Sequence, residues 1–458
     1  MRWFGLVMVL AAVMLVVVAG ARPDPPGGVD VPREAVNYAG YHTTLWGKIA
    51  ALSHYDVLKT TEPLTCSDGA ANFTCLLSKT DIKPIINALR RIGAEPEVET
   101  LNATWVLVLY YDYTAGSWQW RNYTATGAWE LKWNNQTARI YQTKIKKSLG
   151  EMLRLVNKSA RRLMLGNISG VTMVSLYRDI IIVGTKNVTD GKPNTEAIKR
   201  IKEEVKKIDP EINVEVVYAE PRPLLVSDRN KLFNPLVGGI AITFRPGETV
   251  YYCTMGYTGL LNGSIPVITT AWHCIGWVWA RWVEVYQPVG SYERVAYQYQ
   301  PPGCPYRFEN GKLVTTCDIV TIRVDTSERG IAPQVYRPGG LTWSFTEAIW
   351  GTVVRVLGRY DVAVHEWVAK AGARTDITEG RLESHYVVVD YGAVKVLGLL
   401  QAGMTCQGGD SGSPVYSRGW PIGFYSIEIY AYGIVSGSNG DSCFFSPLDA
   451  YPLYVKYT

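Results

Sequence analysis

Residues Cys406–Pro414 read CQGGDSGSP, and this short stretch decides how the rest of the chain is interpreted. Two adjacent glycines precede an acid, a serine follows the acid, and another glycine follows the serine. Glycine is favoured where the backbone takes unusual dihedral angles or approaches a ligand closely. A turn with so few side chains packs poorly into a core. The stretch is therefore either a plain surface turn or a turn whose amide groups face a substrate.

A serine hydroxyl is a weak nucleophile until a base removes its proton, and that base must be held in the right tautomer. The C-terminal half contains only three histidines that could serve. One of them, His273, ends an apolar run in TTAWHCIG, and Asp318 opens another in TTCDIVTIRV. With Ser411 last, the order along the chain is histidine, aspartate, serine, which is the chymotrypsin order of a catalytic triad.

With these motifs the chain resembles the chymotrypsin-fold serine peptidases, and within them the secreted streptogrisin and α-lytic protease branch. The resemblance covers about residues 236–458 and is carried by TAWHC, CDIV, GDSGSP, GIVSGS and the opening LVGGI. It implies an all-β, double six-stranded barrel in the C-terminal half. The pattern agrees, because short alternating runs rich in Val, Ile, Tyr and Trp recur from about Val237 onwards.

The resemblance implies a role for each matching residue. Ser411 is expected to be the nucleophile, His273 the general base and later acid, and Asp318 the group that orients the imidazole. The amide groups of Gly409 and Ser411 are expected to form the oxyanion hole, with Asp410 a structural acid that shapes the turn. One such amide donor is typically worth about 3–4 kcal/mol in the transition state.

Substrate binding is implied for a single segment, and no side-chain preference can be derived from it. The residues expected to line the specificity pocket and pair with the substrate main chain are Ser436, Gly437 and Ser438. In the bacterial relatives a basic residue pairs with the acid before the nucleophile, and here either Lys370 or Arg374 could pair with Asp410. Activation by insertion of a new N-terminus is therefore not expected.

The eight cysteines suggest disulfide bonds, which persist in oxidising compartments. Eight cysteines allow many connectivities. The resemblance, together with closeness along the chain, favours one set of pairs: Cys253–Cys274, Cys304–Cys317, Cys406–Cys443 and Cys66–Cys75.

The N-terminus reads MRWFGLVMVLAAVMLVVVAGARPDPP, in which a single arginine precedes an unbroken apolar run that ends in small residues. That order is typical of a secretory signal peptide, here residues 1–21. The run is also about as long as a membrane-spanning helix, so an uncleaved anchor is the alternative. Seven of the eight Asn-x-Ser/Thr sequons lie before residue 190, which agrees with an exported glycoprotein.

The two halves of the chain differ in composition. Sixteen of the twenty lysines lie at or before Lys231, and NTEAIKRIKEEVKKIDP has the periodicity of an amphipathic helix between two strand-like runs. Residues 22–233 are therefore interpreted as an α+β pro-region and residues 234–458 as the peptidase domain. The boundary between them is placed at about 229–236, where a polar, basic segment would be accessible to a protease.

Two further histidines are interpreted as ordinary strand residues. His365 lies in the alternating run YDVAVHEWVA (Tyr360–Ala369), and His385 lies in HYVVVDYG. A zinc-protease motif at His365 is excluded, because HExxH requires a histidine where Ala369 stands.

The sequence thus predicts a secreted serine endopeptidase made as a zymogen, with a polypeptide substrate and with its own pro-region as intramolecular chaperone and inhibitor. No metal or organic cofactor is expected. The net charge of +5 over 458 residues gives no reason to expect nucleic acid as a partner, and contact with a membrane is expected only if the signal is retained. The alternatives are a catalytically silent glycosylated surface or binding protein on a protease scaffold, and an esterase using the same triad.

Overall fold

The structure is a computed structural model. It describes residues 30–112, 117–165, 168, 170–189, 192–219, 229–230, 232–244, 251–275, 283–289, 293–299, 303–327, 329–337, 350–421, 426–451 and 455–456. No helix in this part of the chain is long and apolar enough to cross a membrane. The expected signal peptide, residues 1–21, lies outside the described residues.

Among the described residues, all five α-helices lie in the N-terminal region, which is defined here as residues 30–219. In the last of them, Asn194 caps the N-terminus by accepting a hydrogen bond from the Ala197 amide, and Ile201 and Val205 are buried on one face. This is the amphipathic helix that the sequence predicts. The helices are α1 (Arg33–Tyr41), α2 (Leu45–His54), α3 (Ile82–Arg91), α4 (Leu149–Ala160) and α5 (Thr195–Lys206), with a π-helical turn Arg161–Leu165 after α4.

The described part of the N-terminal region also contains eleven strands. They are β1 (Leu64–Ser67), β2 (Asn72–Ser78), β3 (Glu97–Thr100), β4 (Trp105–Asp112), β5 (Ser117–Trp133), β6 (Gln136–Thr143), β7 (Val171–Tyr177), β8 (Ile180–Thr185), β9 (Val188–Thr189), β10 (Lys192–Pro193) and β11 (Asn213–Tyr218). The first six form one sheet in the order β3-β5-β4-β1-β2-β6. Strand β11 pairs in parallel with β8 after the crossover through α5, which gives the expected strand–helix–strand unit.

The C-terminal region, residues 229–458, is mostly β, as the sequence predicts. Its strands are β12 (Leu236–Gly238), β13 (Ala241–Phe244), β14 (Tyr251–Thr254), β15 (Thr258–Leu261), β16 (Ile265–Thr270), β17 (Glu284–Tyr286), β18 (Arg294–Tyr299), β19 (Tyr306–Glu309), β20 (Lys312–Thr315), β21 (Val320–Val324), β22 (Ile331–Tyr336), β23 (Trp350–Val356), β24 (Trp367–Gly372), β25 (Asp376–Asp390), β26 (Val394–Ala402), β27 (Pro414–Pro421), β28 (Ser426–Ser438), β29 (Cys443–Pro447) and β30 (Val455–Lys456). Two 3₁₀ turns, Trp272–Ile275 and Leu448–Ala450, complete the described elements.

Two sheets organise the C-terminal region. One has eight strands in the order β14-β13-β17-β18-β21-β16-β15-β30. The other includes β24 to β29 and continues into β7, β8 and β11 of the N-terminal region. The division into two six-stranded barrels remains a prediction.

The sheet register brings two of the candidate residues to the same end of the first sheet. Strands β16 and β21 are antiparallel, with Thr270 opposite Val320. His273 lies in the 3₁₀ turn just after β16, and Asp318 lies just before β21. Ser411 lies in the turn between β26 and β27.

The N-terminal and C-terminal regions share one sheet and one core. Met173–Ser175 of β7 pair antiparallel with Val387–Val389 of β25. The three valines are fully buried, and they pack into clusters that contain residues of both regions.

The predicted strand Tyr360–Ala369 is wrong over most of its length. Strand β24 begins only at Trp367, and the preceding residues form turns and bends. Tyr360 packs in a cluster with the N-terminal helices, and Asp361 accepts hydrogen bonds from the amide groups of Thr43 and Thr44. Val362 and Val368 instead pack with other residues of the C-terminal region. The apolar pattern reflects burial against both regions and not strand alternation.

The prediction that His365 and His385 are both strand residues is therefore correct for one of them only. His385 lies on β25 as predicted. His365 lies in the turn before β24, with a left-handed φ of 83°.

All four histidines other than His273 contact the opposite region. His54 Nδ1 lies 2.9 Å from the hydroxyl of Tyr360, and His385 Nδ1 lies 2.9 Å from a carboxylate oxygen of Glu62. The ring of His42 lies 5.7 Å from that of Tyr360. The ring of His365 lies 4.1 Å from that of Trp118. Four of the five histidines therefore lie where the two regions meet.

Three of these imidazoles have lowered pKa values. Burial is the main cause at His42, where Asp449 and Asp361 partly oppose it. Burial, with the nearby Arg359, lowers the pKa of His54 to about 3. At His365 burial and the guanidinium of Arg381 lower it to about 4. At neutral pH these imidazoles are therefore uncharged when the two regions are in contact.

We expect the contact between the regions to weaken as the pH falls below about 6.5. An unfolded histidine has a pKa near 6.5, so below that pH the unfolded chain binds more protons than the folded one and stability is lost. Urea unfolding of the full chain carrying Ser411→Ala, measured between pH 7.5 and 4.5, should show a falling midpoint. His54→Gln should flatten that slope, by up to about 1.4 kcal/mol per pH unit. Equal slopes for the two proteins would contradict the assignment.

Candidate active site

The histidine–aspartate pair is formed by two bonds. His273 Nδ1 lies 2.6 Å from Asp318 Oδ2, and the His273 amide donates to Asp318 Oδ1 at 2.9 Å. The carboxylate is fully buried, whereas about a quarter of the imidazole side chain (28%) is exposed. Because a backbone amide and a ring nitrogen both bind the same carboxylate, the imidazole is fixed in position and Nδ1 carries the donated proton. Its Nε2 then carries the lone pair that can accept a proton.

Two further hydroxyl groups bond to Asp318, one at its carboxylate and one at its backbone. Ser436 Oγ donates to Asp318 Oδ2 at 2.7 Å, and the Asp318 amide donates to Ser446 Oγ at 2.8 Å. Burial of a carboxylate is costly unless it is met by donors, so the Ser436 bond stabilises the side chain, while the Ser446 bond fixes the backbone. Strands β28 and β29, which carry the two serines, therefore anchor a residue that lies before β21.

Ser411 lies against the loop that carries His273. Its carbonyl accepts a hydrogen bond from the Thr254 amide at 2.8 Å and lies 3.8 Å from Sγ of Cys274. The next residue, Gly412, has a φ of +89°, and a Cβ there would fall 2.1 Å from Thr270 Oγ1. Only glycine allows the serine turn to approach the end of β16 this closely.

The turn before Ser411 presents backbone amides without an internal partner. Gly409 has a left-handed φ of +95°, and its carbonyl accepts a hydrogen bond from Thr254 Oγ1 at 2.6 Å. Within the described residues, the amide groups of Gly409 and Ser411 donate to no protein acceptor. The amide of Gly412, in contrast, donates to the carbonyl of Val435 at 2.8 Å. Two adjacent free donors are what an oxyanion hole requires.

Asp410 is fully buried beneath this turn and is met by five donors. Four of these bonds come from the chain on either side: the amides of Arg374 (2.9 Å), Thr375 (3.0 Å) and Gln407 (2.9 Å), and the hydroxyl of Thr375 (2.6 Å). The fifth partner is Lys370, whose Nζ lies 3.3 Å from Oδ2. Of the two candidates that the sequence left open, Lys370 forms the ion pair and Arg374 contributes its backbone amide.

The ammonium group of Lys370 is as deeply buried as its partner. Burial lowers the pKa of Lys370 to about 8, and the attraction of Asp410 opposes that shift. The ammonium also donates to Thr375 Oγ1 at 2.6 Å and to the Asp376 carbonyl at 3.1 Å. A lone buried ammonium would be costly, so Lys370 and Asp410 depend on each other.

The predicted substrate-binding segment lies beside the histidine. Ser436 contacts Asp318, as described above, and its Oγ also lies 3.1 Å from the hydroxyl of Tyr391. The ring of Tyr391 stacks on that of His273 with 6.4 Å between centroids, and a Cβ on Gly437 would fall 2.6 Å from the Tyr391 hydroxyl. Burial raises the pKa of Tyr391 well above its usual value, so this hydroxyl stays protonated. The structure places the last residue of the segment, Ser438, opposite Cys443.

The eight cysteines are paired as the resemblance implies. The bond Cys253–Cys274 ties β14 to the turn of His273, and Cys406–Cys443 ties the serine turn to the segment after Ser438. The other two pairs are Cys304–Cys317 and Cys66–Cys75. Two of the four bonds thus fix the loops that carry the candidate residues.

Three supporting residues were not predicted from the sequence. Thr254 bonds to the turn at both Gly409 and Ser411, Tyr391 stacks on the imidazole, and Ser446 holds Asp318. Thr254 follows Cys253, which is the only local signal that could have pointed to it. Tyr391 lies in the turn after β25 and Ser446 lies on β29, and the pairing of these strands cannot be read from spacing.

No arrangement of three or more His, Cys, Asp or Glu side chains suited to a metal ion occurs in the described part of the chain. The donors around Asp318 and Asp410 are amides, hydroxyls and one ammonium, which is a hydrogen-bonded site and not a coordination sphere.

No family model and no curated protein matches the chain. The solved structures that it resembles are serine proteases of the chymotrypsin fold, and they align with about half of it. Thermobifida fusca protease A is 23% identical with a TM-score of 0.31, covering 47% of this chain and 92% of its own. Nocardiopsis protease is 20% identical with a TM-score of 0.35, covering 48% of this chain and 99% of its own. Cellulomonas bogoriensis chymotrypsin is 20% identical with a TM-score of 0.33, covering 49% of this chain and 100% of its own. Because these identities and TM-scores are low, the function proposed below rests on the contacts of the site.

We expect Lys370→Met to destabilise the protein by about 3–5 kcal/mol, because removing one partner of a buried ion pair leaves the other charge uncompensated. Lys395→Met is the matched control. Lys395 is equally buried, but its Nζ has no hydrogen-bond partner among the described residues and lies 4.0 Å from Asp390. Urea unfolding in the Ser411→Ala background measures both variants. Similar costs at the two positions would show that Asp410 does not depend on Lys370.

Proposed function

We propose that this chain is the precursor of a secreted serine endopeptidase that cleaves peptide bonds through an acyl-enzyme at Ser411. The observation that carries the proposal is the pair of hydrogen bonds that joins His273 to the buried carboxylate of Asp318, beside a glycine-lined turn that holds Ser411. Each part of that arrangement has a chemical use only if the serine is a nucleophile. No cofactor takes part in the proposed reaction.

His273 serves as the general base in this mechanism. Its Nδ1 proton is held by Asp318, so Nε2 accepts the proton of the Ser411 hydroxyl as that oxygen attacks the scissile carbonyl. The imidazolium that forms is stabilised by the buried carboxylate, which stays ionised. The same proton then goes to the leaving amine, and a water molecule activated by Nε2 hydrolyses the acyl-enzyme.

The negative charge that develops on the carbonyl oxygen is met by the amides of Gly409 and Ser411. Both donors lack an acceptor in the described structure, and Asp410 holds the turn rigid from below. Preorganised donors of this kind need no reorganisation during the reaction, which is why they stabilise the transition state more than water does. Ser436, Gly437 and Ser438 would align the substrate main chain.

The N-terminal region is proposed as a pro-region that assists folding and inhibits the enzyme until it is cleaved. The support is structural: it contributes strand β7 to the peptidase sheet and buries Val387–Val389 of β25. A β protein with many non-local pairings folds slowly, so a template strand would speed folding. Export of the precursor and glycosylation of its sequons belong to the same proposal.

The two alternatives make different demands on the site. A silent binding protein has no need for a histidine held in one tautomer by a buried carboxylate, and it is disfavoured for that reason. An esterase would use the same triad, and it is distinguished by its turnover of ester but not peptide substrates.

After removal of the N-terminal region, the protein should react with an active-site serine phosphonate, and the adduct should map to Ser411. Ser411→Ala should abolish labelling, because it removes the hydroxyl that the reagent modifies. Ser413→Ala, two residues further on, should still label. Mass spectrometry of the digested protein measures all three. An unreactive wild-type protein, before and after removal of the N-terminal region, would favour the silent binding protein.

Asp318→Asn should lower kcat by about 10⁴ while leaving KM within a few fold, as expected when the base is held in the wrong tautomer. The amide is nearly isosteric with the carboxylate, so the fold is expected to survive. Steady-state kinetics on a peptide and an ester substrate measure the effect. A variant with wild-type kcat would remove Asp318 from the mechanism.

A further inference from the structure

Arg229 is a buried arginine at the start of the C-terminal region, upstream of its first strand. It is 2% exposed, and one guanidinium nitrogen donates to the carbonyls of Gly239 (2.8 Å) and Tyr336 (2.7 Å). The guanidinium also lies over the Tyr336 ring, 5.5 Å from its centroid. Its second terminal nitrogen forms an ion pair with the carboxylate of Asp376. A buried guanidinium requires partners for its charge. Both terminal nitrogens of Arg229 have them, whereas its Nε has no hydrogen-bond partner among the described residues.

The partner of Arg229 belongs to the loop that holds Asp410. Asp376 has a left-handed φ of +59°, which is uncommon for a residue other than glycine. The residues just before it, Arg374 and Thr375, point successive amides at the Asp410 carboxylate. Lys370, the ion-pair partner of Asp410, also donates to the Asp376 carbonyl.

A continuous set of bonds therefore runs from Arg229 through Asp376 and the loop amides to Asp410, and so to the free amides of Gly409 and Ser411. We propose that Arg229 is a positioning residue for this oxyanion turn, and that the maturation cut accordingly lies N-terminal to Arg229. The proposal rests on the serine peptidase function proposed above. It places the cut at or upstream of the start of the boundary, about 229–236, that the sequence predicts.

A second set of contacts supports the same boundary. The described residues after Arg229 bond to the peptidase body. The side-chain amide of Asn230 donates to the carbonyl of Val289 at 3.0 Å. The carbonyl of Phe233 accepts from Arg329 at 2.9 Å, and its ring lies 4.9 Å from that of Tyr336. Cleavage beyond Phe233 would discard a segment that the peptidase body binds.

Hydrogen exchange tests the positioning role without requiring activity. In the full chain with Ser411→Ala, Arg229→Met should speed exchange of the amides of Arg374 and Thr375, and of the turn 407–412, by about 10- to 100-fold. Asp376→Asn should do the same. It is the milder variant, because the Asp376 side chain is 54% exposed. The double variant should be no worse than Arg229→Met alone, since Asp376→Asn removes a contact that Arg229→Met has already removed.

Arg329→Met is the matched control. Arg329 is also buried, also anchors the segment before β12, and pairs with Glu293, but it does not contact the loop. Exchange in the loop and turn should stay at the wild-type rate in this variant. Arg229→Lys keeps the charge opposite Asp376 and should give intermediate exchange. Unchanged loop exchange in both Arg229→Met and Asp376→Asn would overturn the positioning role, as would an equal rise in Arg329→Met.

The phosphonate separates this inference from the proposed function. If the wild-type protein labels at Ser411, Asp376→Asn should lower the labelling rate by at least about tenfold, because the reagent uses the same amides. Labelling at the wild-type rate would overturn the inference while leaving the peptidase function intact. An unreactive wild-type protein would overturn the function, and the exchange experiment would still decide the role of Arg229.

N-terminal sequencing of the wild-type processed product tests the boundary. The product should begin at or before Arg229. A product that begins at Asn230 or later would overturn the placement of the cut, because the mature protein would then lack the guanidinium.

Discussion

Buried carboxylates, each of which must be met by several donors, hold this structure together at the points that matter for function. Three such carboxylates are buried: Asp410 beneath the serine turn, Asp318 beside the imidazole, and Asp361, which accepts bonds from the residues just before α2. Their donors come from segments far apart in the sequence. An unpaired carboxylate in such a position would be strongly destabilising. The loops that supply the donors are therefore fixed relative to one another, and the candidate site takes its geometry from that requirement.

Local motifs in the sequence predict the candidate residues, but not the contacts that position them. The glycines of CQGGDSGSP predict a turn with positive φ values, and Gly409 and Gly412 have them. The choice of Lys370 over Arg374 depends on strand register: Lys370 lies on β24 opposite Val415 of β27, which directs its ammonium towards Asp410. Register between distant strands is a property of the folded sheet, and a single sequence does not contain it.

The false strand at Tyr360–Ala369 has a related cause. Apolar alternation indicates that a segment is buried on one face, and it does not say what covers that face. Here the N-terminal region supplies part of the cover, because Thr43 and Thr44 bond to Asp361 and His54 contacts Tyr360. The C-terminal region itself covers Val362 and Val368. Because the two regions share a buried contact, the apolar pattern of the C-terminal region includes residues that the N-terminal region covers. A division of the sequence into separate domains therefore misassigns the residues at their contact.

The pairing of β7 with β25 has a consequence for the peptidase on its own. If the N-terminal region is removed as proposed, Val387–Val389 would present an open row of amides and carbonyls, and Val388 would lose the N-terminal residues that it packs against. Such an edge is a template for a strand from another molecule. Two liberated peptidases could then join edge to edge, so the released enzyme would be at greatest risk of self-association where it is most concentrated.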